Sequence, residues 1–219
     1  NNINTGFKNK SSTILVTLDI EKAFDSVWYN GLLYEMIQFN FQLYLVRIIE
    51  SFVKNRLFCV SLNDNYSDLL EIPAGVPQGS VLGPILYILY CSDMPDLNGC
   101  NCATYADDTC LFFSHEFGQI IVTKLQCALE KLVAYFQKWK IKINEEKTQA
   151  VFFTRKRKAC FYPTTQLKIN GTSIPWSDNI KYLGVHLDRK LIFELHIKKQ
   201  IEKFHLDRNM LYPLIRRGS

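Results

Sequence analysis

Apolar and polar positions follow two periods along this chain, and each change of period marks an element. Ile14-Leu-Val-Thr-Leu-Asp-Ile20 is a β-branched run that reads as a buried strand with a carboxylate near its end. Leu32, Leu33, Met36 and Ile37 fall at helical spacing, and Leu43, Val46, Ile49, Phe52 and Val53 predict a second helix. Leu57–Leu62 and Tyr66–Ile72, joined by Asn63-Asp-Asn65, predict a hairpin. Gly75-Val-Pro-Gln-Gly-Ser80 then breaks the chain before an apolar helix from Val81 to about Cys91. Cys102–Tyr105 and Thr109–Phe113 flank Asp107-Asp108 as strand, turn and strand. Leu125, Ala128, Leu129, Leu132, Val133 and Phe136 mark a long amphipathic helix. Strands follow at Thr148–Phe153 and Tyr182–Leu187, with a hairpin around Asn170-Gly171 between them, and Leu191 to Ile215 is helical and basic. Helices alternating with strands and hairpins predict a mixed α/β layer fold rich in antiparallel pairs.

With 47 % apolar and 13 % aromatic residues among 219, the chain buries a sizeable core, which excludes a disordered polymer. The longest apolar run, Val81 to Cys91, is interrupted by Gly83 and Pro84 and is too short for a bilayer, so no membrane partner is expected. No basic, apolar leader opens the chain, which predicts an intracellular protein, and a start at Asn1 rather than Met predicts a fragment. Seven cysteines without a CxxC pair read as free thiols, not a zinc site, and the four histidines form no i,i+4 pair. The net charge of +5 is unevenly placed. Residues 1–146 carry 11 Lys/Arg against 16 Asp/Glu, and residues 147–219 carry 15 against 5. A basic back half fits either a bound polyanion or a solvated face.

Three carboxylates stand out. Asp19 ends an apolar strand, and Asp107-Asp108 sits at the tip of an apolar hairpin, where adjacent charges repel and burial is costly. Asp in a turn is one explanation. The other is a hard divalent cation held by oxygen ligands; three carboxylates on neighbouring strands complete a site for two Mg²⁺ ions about 3.5–4 Å apart, which clamp both oxygens of a phosphoryl transfer.

Four motifs then fall in order: Leu18-Asp-Ile-Glu-Lys-Ala-Phe-Asp-Ser-Val-Trp28, Gly75-Val-Pro-Gln-Gly-Ser-Val-Leu-Gly-Pro84, Tyr105-Ala-Asp-Asp108 and Tyr182-Leu-Gly184. Together they resemble the reverse transcriptase domain of non-LTR (LINE-type, jockey-like) retrotransposons, over nearly the whole chain. The resemblance implies an α/β right-hand polymerase palm, with partial fingers in residues 1–190 and the basic start of a thumb in residues 191–219. It implies that Asp19, Asp107 and Asp108 are catalytic metal ligands, joined by the Ile20 carbonyl, for two Mg²⁺ ions with Mn²⁺ as the alternative. Phe24 matches the steric gate that excludes a ribose 2′-OH. Gln78 and Gly79 match the nucleotide-binding motif, and Lys147 the lysine that neutralises or protonates the leaving pyrophosphate. Tyr182, Leu183 and Gly184 match the primer grip. Lys198, Lys199 and Lys203, with Arg208, Arg216 and Arg217, are implied contacts to template–primer phosphates. Asp25 and Glu21 fall outside the matching positions and read as a helix start and a solvated charge.

The activity implied is RNA-directed DNA synthesis in retrotransposition, adding dNTPs to a primer 3′-OH. Its implied partners are an RNA template, a DNA primer and the remainder of an element-encoded polyprotein with endonuclease, full fingers and full thumb. Its implied location is the nucleus, with the cytoplasm as the alternative. The rival is a catalytically idle, template-binding remnant. Three intact Asp favour the enzyme, and the few residues before the first strand, with Lys8 and Lys10 their only charges, favour the remnant. If the basic back half lies on a duplex, binding falls steeply with salt, and deleting Leu191–Ser219 flattens that dependence. An unchanged salt slope after the deletion makes the basic segment a solvated helix.

Overall fold

A computed structural model describes residues 2–106, 108–156 and 163–216. In chain order, α1 (Asn2–Lys8) leads into β1 (Ser12–Ile20), a 3₁₀ turn (Ala23–Asp25), α2 (Tyr29–Gln38) and α3 (Leu43–Val53). Four two-residue strands follow: β2 (Leu57–Phe58), β3 (Ser61–Leu62), β4 (Asn65–Tyr66) and β5 (Leu70–Glu71). Then come α4 (Leu82–Tyr90), β6 (Asn101–Tyr105), β7 (Asp108–His115), α5 (Gly118–Lys138) and β8 (Ile143–Phe153). The chain closes with β9 (Lys168–Ile169), β10 (Thr172–Ser173), β11 (Asn179–Tyr182), β12 (Val185–Asp188) and α6 (Glu194–Arg216).

The central sheet has the order β6-β7-β1-β8, and every neighbouring pair is antiparallel. β1 lies inside it and is covered on both faces. Ile14, Val16, Leu18 and Ile20 pack with Ile121, Leu125, Leu129 and Leu132 of α5. Leu15 turns the other way, onto Val151, Phe153 and Ile180, with Phe7 of α1 beside them. Double cover explains why the strand reads as a nearly unbroken apolar run instead of a half-buried alternation. The cover gives out near the end of the strand. Thr17 and Asp19 are half-buried, while Leu18 and Ile20, on the helix side, are buried.

A buried joint holds α4 against α5. Trp139 is almost fully buried; its Nε1–H donates to Asp93 Oδ2 at 3.1 Å, and the Tyr90 hydroxyl donates to its carbonyl. The Tyr90 and Trp139 rings meet edge-on at 5.4 Å, a geometry that contributes about 0.5–1.5 kcal/mol beyond the buried area. Glu35 of α2 is buried beside this joint. Burial first, and the charge of Asp93 second, push its carboxyl above the ordinary range.

The hairpin expected around Asn170-Gly171 is present, and the one expected through Asn63-Asp-Asn65 turns on Asn63-Asp64 alone, with Asn65 in β4 and the ladder broken into β3–β4 and β2–β5; both turn residues are left-handed in each, as a two-residue turn between twisted strands requires. Three expectations need correction. Tyr182–Leu187 is not one strand: Leu183 and Gly184, at φ 46° and 80°, fold it into the β11–β12 hairpin. β8 starts at Ile143, five residues before the expected strand, because the region around Asn144 pairs with the charged end of β1. The seven-residue α1 was not expected, since it carries no sustained apolar period. Among the described residues, no helix is long and apolar enough to cross a membrane.

Asp188 ties the β11–β12 hairpin to the last helix. Its Oδ1 accepts the amides of Lys190 and Ile192 at 3.0 and 3.1 Å, and its Oδ2 accepts that of Phe193 at 2.6 Å. Burial alone raises this carboxyl, but the amide hydrogen bonds overcome it and hold the group below its ordinary 3.8. A depressed carboxylate contributes stability that is complete above the unfolded value and is lost as pH falls through the folded one. Exchange protection of the Ile192 and Phe193 amides should therefore be constant above about pH 4 and decline in stronger acid. Asp188→Ala should lower that protection at pH 7 by about 1–2 kcal/mol; unchanged protection in the variant would refute the tether.

Candidate active site

The register of the sheet brings the first pair of carboxylates together. β1 pairs with β7 through Thr17↔Cys110 and Leu18↔Thr109, and one further step along the same register sets Asp19 beside Asp108. Strand alternation places Asp19 on the side of Leu15, and Asp108 on the side of Cys110 and Phe112, which is the face turned away from α5. Both carboxylates thus lie on one face, at the open end of the sheet, where water compensates their charge. Across the hairpin Asp108 pairs with Tyr105, and Ala106 in the turn is left-handed at φ 52°. Asp107 lies outside the described residues. Among those described, no three His, Cys, Asp or Glu gather as a metal-holding group. The two carboxylates that this register puts on one face are hard oxygen donors on an accessible face, which fits a divalent cation and not a soft one. The Ile20 side chain is buried on the opposite face.

Lys147 reaches this site through an irregularity. β1 pairs with β8 at Thr17↔Gln149 and again at Asp19↔Asn144, so the residues between Asn144 and Gln149 loop out of register. The loop is closed locally: Thr148 Oγ1 donates to the Asn144 carbonyl at 2.9 Å, and the Lys147 amide donates to Asn144 Oδ1 at 3.3 Å. Lys147 Nζ then lies 3.7 Å from Asp19 Oδ2. The pair is open to solvent and contributes about 0–1 kcal/mol, so it parts readily for a ligand.

Phe24 and the Gly75–Ser80 segment meet on the other side. The Phe24 ring stacks at a tilt on Tyr87 of α4 at 5.1 Å. With Ile20, Tyr87, Tyr105 and Thr109 it lines a cleft of about 690 Å³. The Val76 amide donates to the Phe24 carbonyl at 2.7 Å, and the Gly75 amide donates to the Val27 carbonyl at 2.9 Å. Gly75 is left-handed at φ 94°, and a Cβ there would come within 2.7 Å of the Asp25 backbone. Arg56 donates to the Gly75 carbonyl and, at 3.0 Å, to the Tyr29 hydroxyl, so the region after α3 buttresses the junction. Gly79, at φ 78°, has open space where its Cβ would stand. Ser80 Oγ accepts the Gly83 amide at 2.9 Å and starts α4. Asp25, read as a helix start, lies in the 3₁₀ turn and, while exposed, also accepts a hydrogen bond from Gln78 Nε2 at 2.8 Å. No local pattern marked it, because its partner lies far along the sequence.

The β11–β12 hairpin docks on the carboxylate face. Tyr182 packs in the cluster that holds Cys110, on the face of Asp108, and burial, then the proximity of Cys110, raises the Tyr182 phenol. Leu183 and Gly184 form the exposed tip. Lys198, Lys199 and Lys203 are all exposed on α6. At 3.6 residues per turn Lys199 and Lys203 share a side, whereas Lys198 is rotated about 100° from Lys199. Arg217 lies outside the described residues.

A family model for the reverse transcriptase (RNA-dependent DNA polymerase) matches residues 2–187. The RNA-directed DNA polymerase from the mobile element jockey of Drosophila melanogaster is 40 % identical over 199 residues, covering 87 % of this chain and 21 % of that protein. The probable RNA-directed DNA polymerase from transposon BS of the same species is 32 % identical over 221 residues, covering 97 % of the chain and 24 % of that protein. The chain thus spans between a fifth and a quarter of the length of these relatives. Among solved structures, the apo telomerase of Candida tropicalis lacking its C-terminal domain superposes with a TM-score of 0.60 at 16 % identity, covering 88 % of this chain and 38 % of that one. At that identity the likeness concerns the fold.

The two glycines of the Gly75–Ser80 segment should respond differently to a methyl group. Gly75→Ala meets both the left-handed backbone and the Asp25 main chain, and should cost about 2–4 kcal/mol. Gly79→Ala meets only the backbone term, about 1–2 kcal/mol. Denaturant midpoints measure both; equal losses would mean that the Gly75 contact is not tight.

Proposed function

Because the chain belongs to the reverse transcriptase (RNA-dependent DNA polymerase) family, whose members depend on divalent metal, we propose that it forms the palm of a polymerase that adds dNTPs to a primer 3′-OH on an RNA template. The observation that carries this reading is the register that sets Asp19 beside Asp108 at the open end of the sheet. In the reaction the O3′–Pα bond forms as the bond from Pα to the pyrophosphate oxygen breaks. Asp19 and Asp108, with Asp107 and the Ile20 carbonyl, are the proposed holders of two Mg²⁺ ions, with Mn²⁺ as a substitute. Bound there, the ions supply charge neutralisation for the attacking and leaving oxygens.

The remaining roles fall to side chains and backbone. Phe24 is the proposed gate, a bulky ring that repels a ribose 2′-OH and so discriminates between sugars. Gly79 leaves its Cβ volume to the nucleotide, and Gln78 hydrogen-bonds the nucleotide or its template partner. Lys147 leaves Asp19 to neutralise or protonate pyrophosphate. The Tyr182-Leu183-Gly184 tip steadies the primer end. Lys199 and Lys203, and Lys198 from a neighbouring side of α6, contact duplex phosphates. On this reading residues 1–190 are the palm with part of the fingers, and residues 191–219 begin the thumb. The remaining partners are the rest of the parent polyprotein, and the site of action is the nucleus. Support for an RNA-bearing substrate also comes from Candida tropicalis telomerase in complex with a fragment of telomeric RNA, which shares the fold.

Primer extension on an RNA template by the intact polypeptide, whatever its extent beyond these residues, tests the proposal. Asp19→Asn should reduce kcat by at least about a hundredfold. Phe24→Ala should raise ribonucleotide use relative to deoxyribonucleotide by about tenfold. Template binding without extension by the unaltered protein would replace the enzyme with a binding remnant.

A further inference from the structure

Asp25 and Gln78 are 53 positions apart, and both are exposed, yet they are joined by one 2.8 Å hydrogen bond. The main chain around them is not free to separate. The Val76 amide is bonded to the Phe24 carbonyl at 2.7 Å and the Gly75 amide to the Val27 carbonyl at 2.9 Å, one on each side of Asp25. Gly75 presses so closely on the Asp25 backbone that only a glycine fits. The side-chain contact therefore forms between two pieces of backbone already held in place, and its entropic cost is small.

The chemistry of the pair is asymmetric. A Gln amide offers an acceptor at Oε1 and two donors at Nε2, and the side chain can present either end. An ionised carboxylate only accepts, so it can bond only the Nε2 end. With Nε2 turned to Asp25, Gln78 keeps Oε1 and one N–H for a ligand. We infer that Asp25 is the positioning residue for Gln78, selecting one orientation of its amide and thereby fixing which end of Gln78 a nucleotide meets. Asp25 directly follows the Phe24 gate, so one turn of chain sets both the wall of the sugar site and the polar group facing the nucleotide. The inference rests on the polymerase reading for its kinetic consequence and on geometry alone for the contact.

Without an oriented partner, Gln78 spends part of its time in orientations that cannot bind, and apparent affinity falls by the competent fraction. Asp25→Ala should raise KM for dNTP about fivefold with kcat within about twofold. Asp25→Asn keeps the size and one hydrogen bond but accepts either end of the Gln78 amide. A half-competent population corresponds to about a twofold rise in KM, between the native protein and the alanine variant. In a Gln78→Ala background both changes should leave KM unmoved. An Asp25→Ala effect that persists undiminished there would overturn the inference, as would Asn and Ala variants with identical KM. The Gln78 side-chain NH₂ resonances supply a readout apart from turnover: Asp25→Ala should shift them, and unshifted resonances refute the contact. If the unaltered protein fails to extend primers, the polymerase reading falls and the resonances still decide whether Asp25 holds Gln78.

Discussion

Everything at the site depends on β1 being paired along both edges and buried on both faces for most of its length, and then uncovered at its end. A strand in that position is the most constrained element of a sheet, since a one-residue slip would exchange every side chain between the helix face and the opposite face. The constraint runs through to Asp19. Ile14, Val16, Leu18 and Ile20 are locked against α5, so Asp19 has to fall on the other face, and the pairing with β7 then brings Asp108 alongside. Two carboxylates are costly neighbours in a low dielectric. They are tolerable here because the cover from α1 and the β11–β12 hairpin stops short of them.

The second dependency is a junction of backbone. The 3₁₀ turn after β1 and the Gly75–Ser80 segment before α4 are joined by two amide hydrogen bonds and by the close approach of Gly75. Arg56 and Tyr29 brace the junction from the α3 side, with the Tyr29 hydroxyl donating to the Ile72 carbonyl at 3.0 Å. Phe24, Gln78 and Gly79 thereby acquire fixed relative positions although two helices and two short hairpin ladders separate them in sequence. Preorganisation of this kind lets exposed polar groups act at a site without being buried.

Lys147 and Tyr182 show a third arrangement, in which departures from regular structure deliver function. The loop between Asn144 and Gln149 exists because β8 is too long for its register with β1, and the extra residues turn Lys147 toward Asp19. The left-handed Leu183-Gly184 turn folds the last strand back on itself, which leaves Tyr182 against Cys110 and the tip free. A bulky residue at positive φ is uncommon, and its presence at an exposed tip marks a place where shape outweighs local preference.

Legibility in the sequence followed the range of each interaction. The helices at Tyr29–Gln38, Leu82–Tyr90 and Gly118–Lys138, the β1 run and the Asn-Gly hairpin were readable because period and turn chemistry are encoded within a few residues. So were the four motifs, whose order alone marked the family that residues 2–187 match. The placement of Asp19 near the end of an apolar strand was visible as a local contradiction. What covers each face of that strand was not, and neither was the register that sets Asp108 against it. The Gln78 partner of Asp25 was invisible because it is 53 positions away, and the pairing of Lys147 with Asp19 was invisible because the bulge that turns Lys147 is a mismatch between two strands. Glu35 sat unremarked on its helix, since its burial depends on α4 and α5 packing around it. Local period and turn chemistry thus set which elements form, whereas pairing register and packing, which relate residues far apart along the chain, set which charges meet.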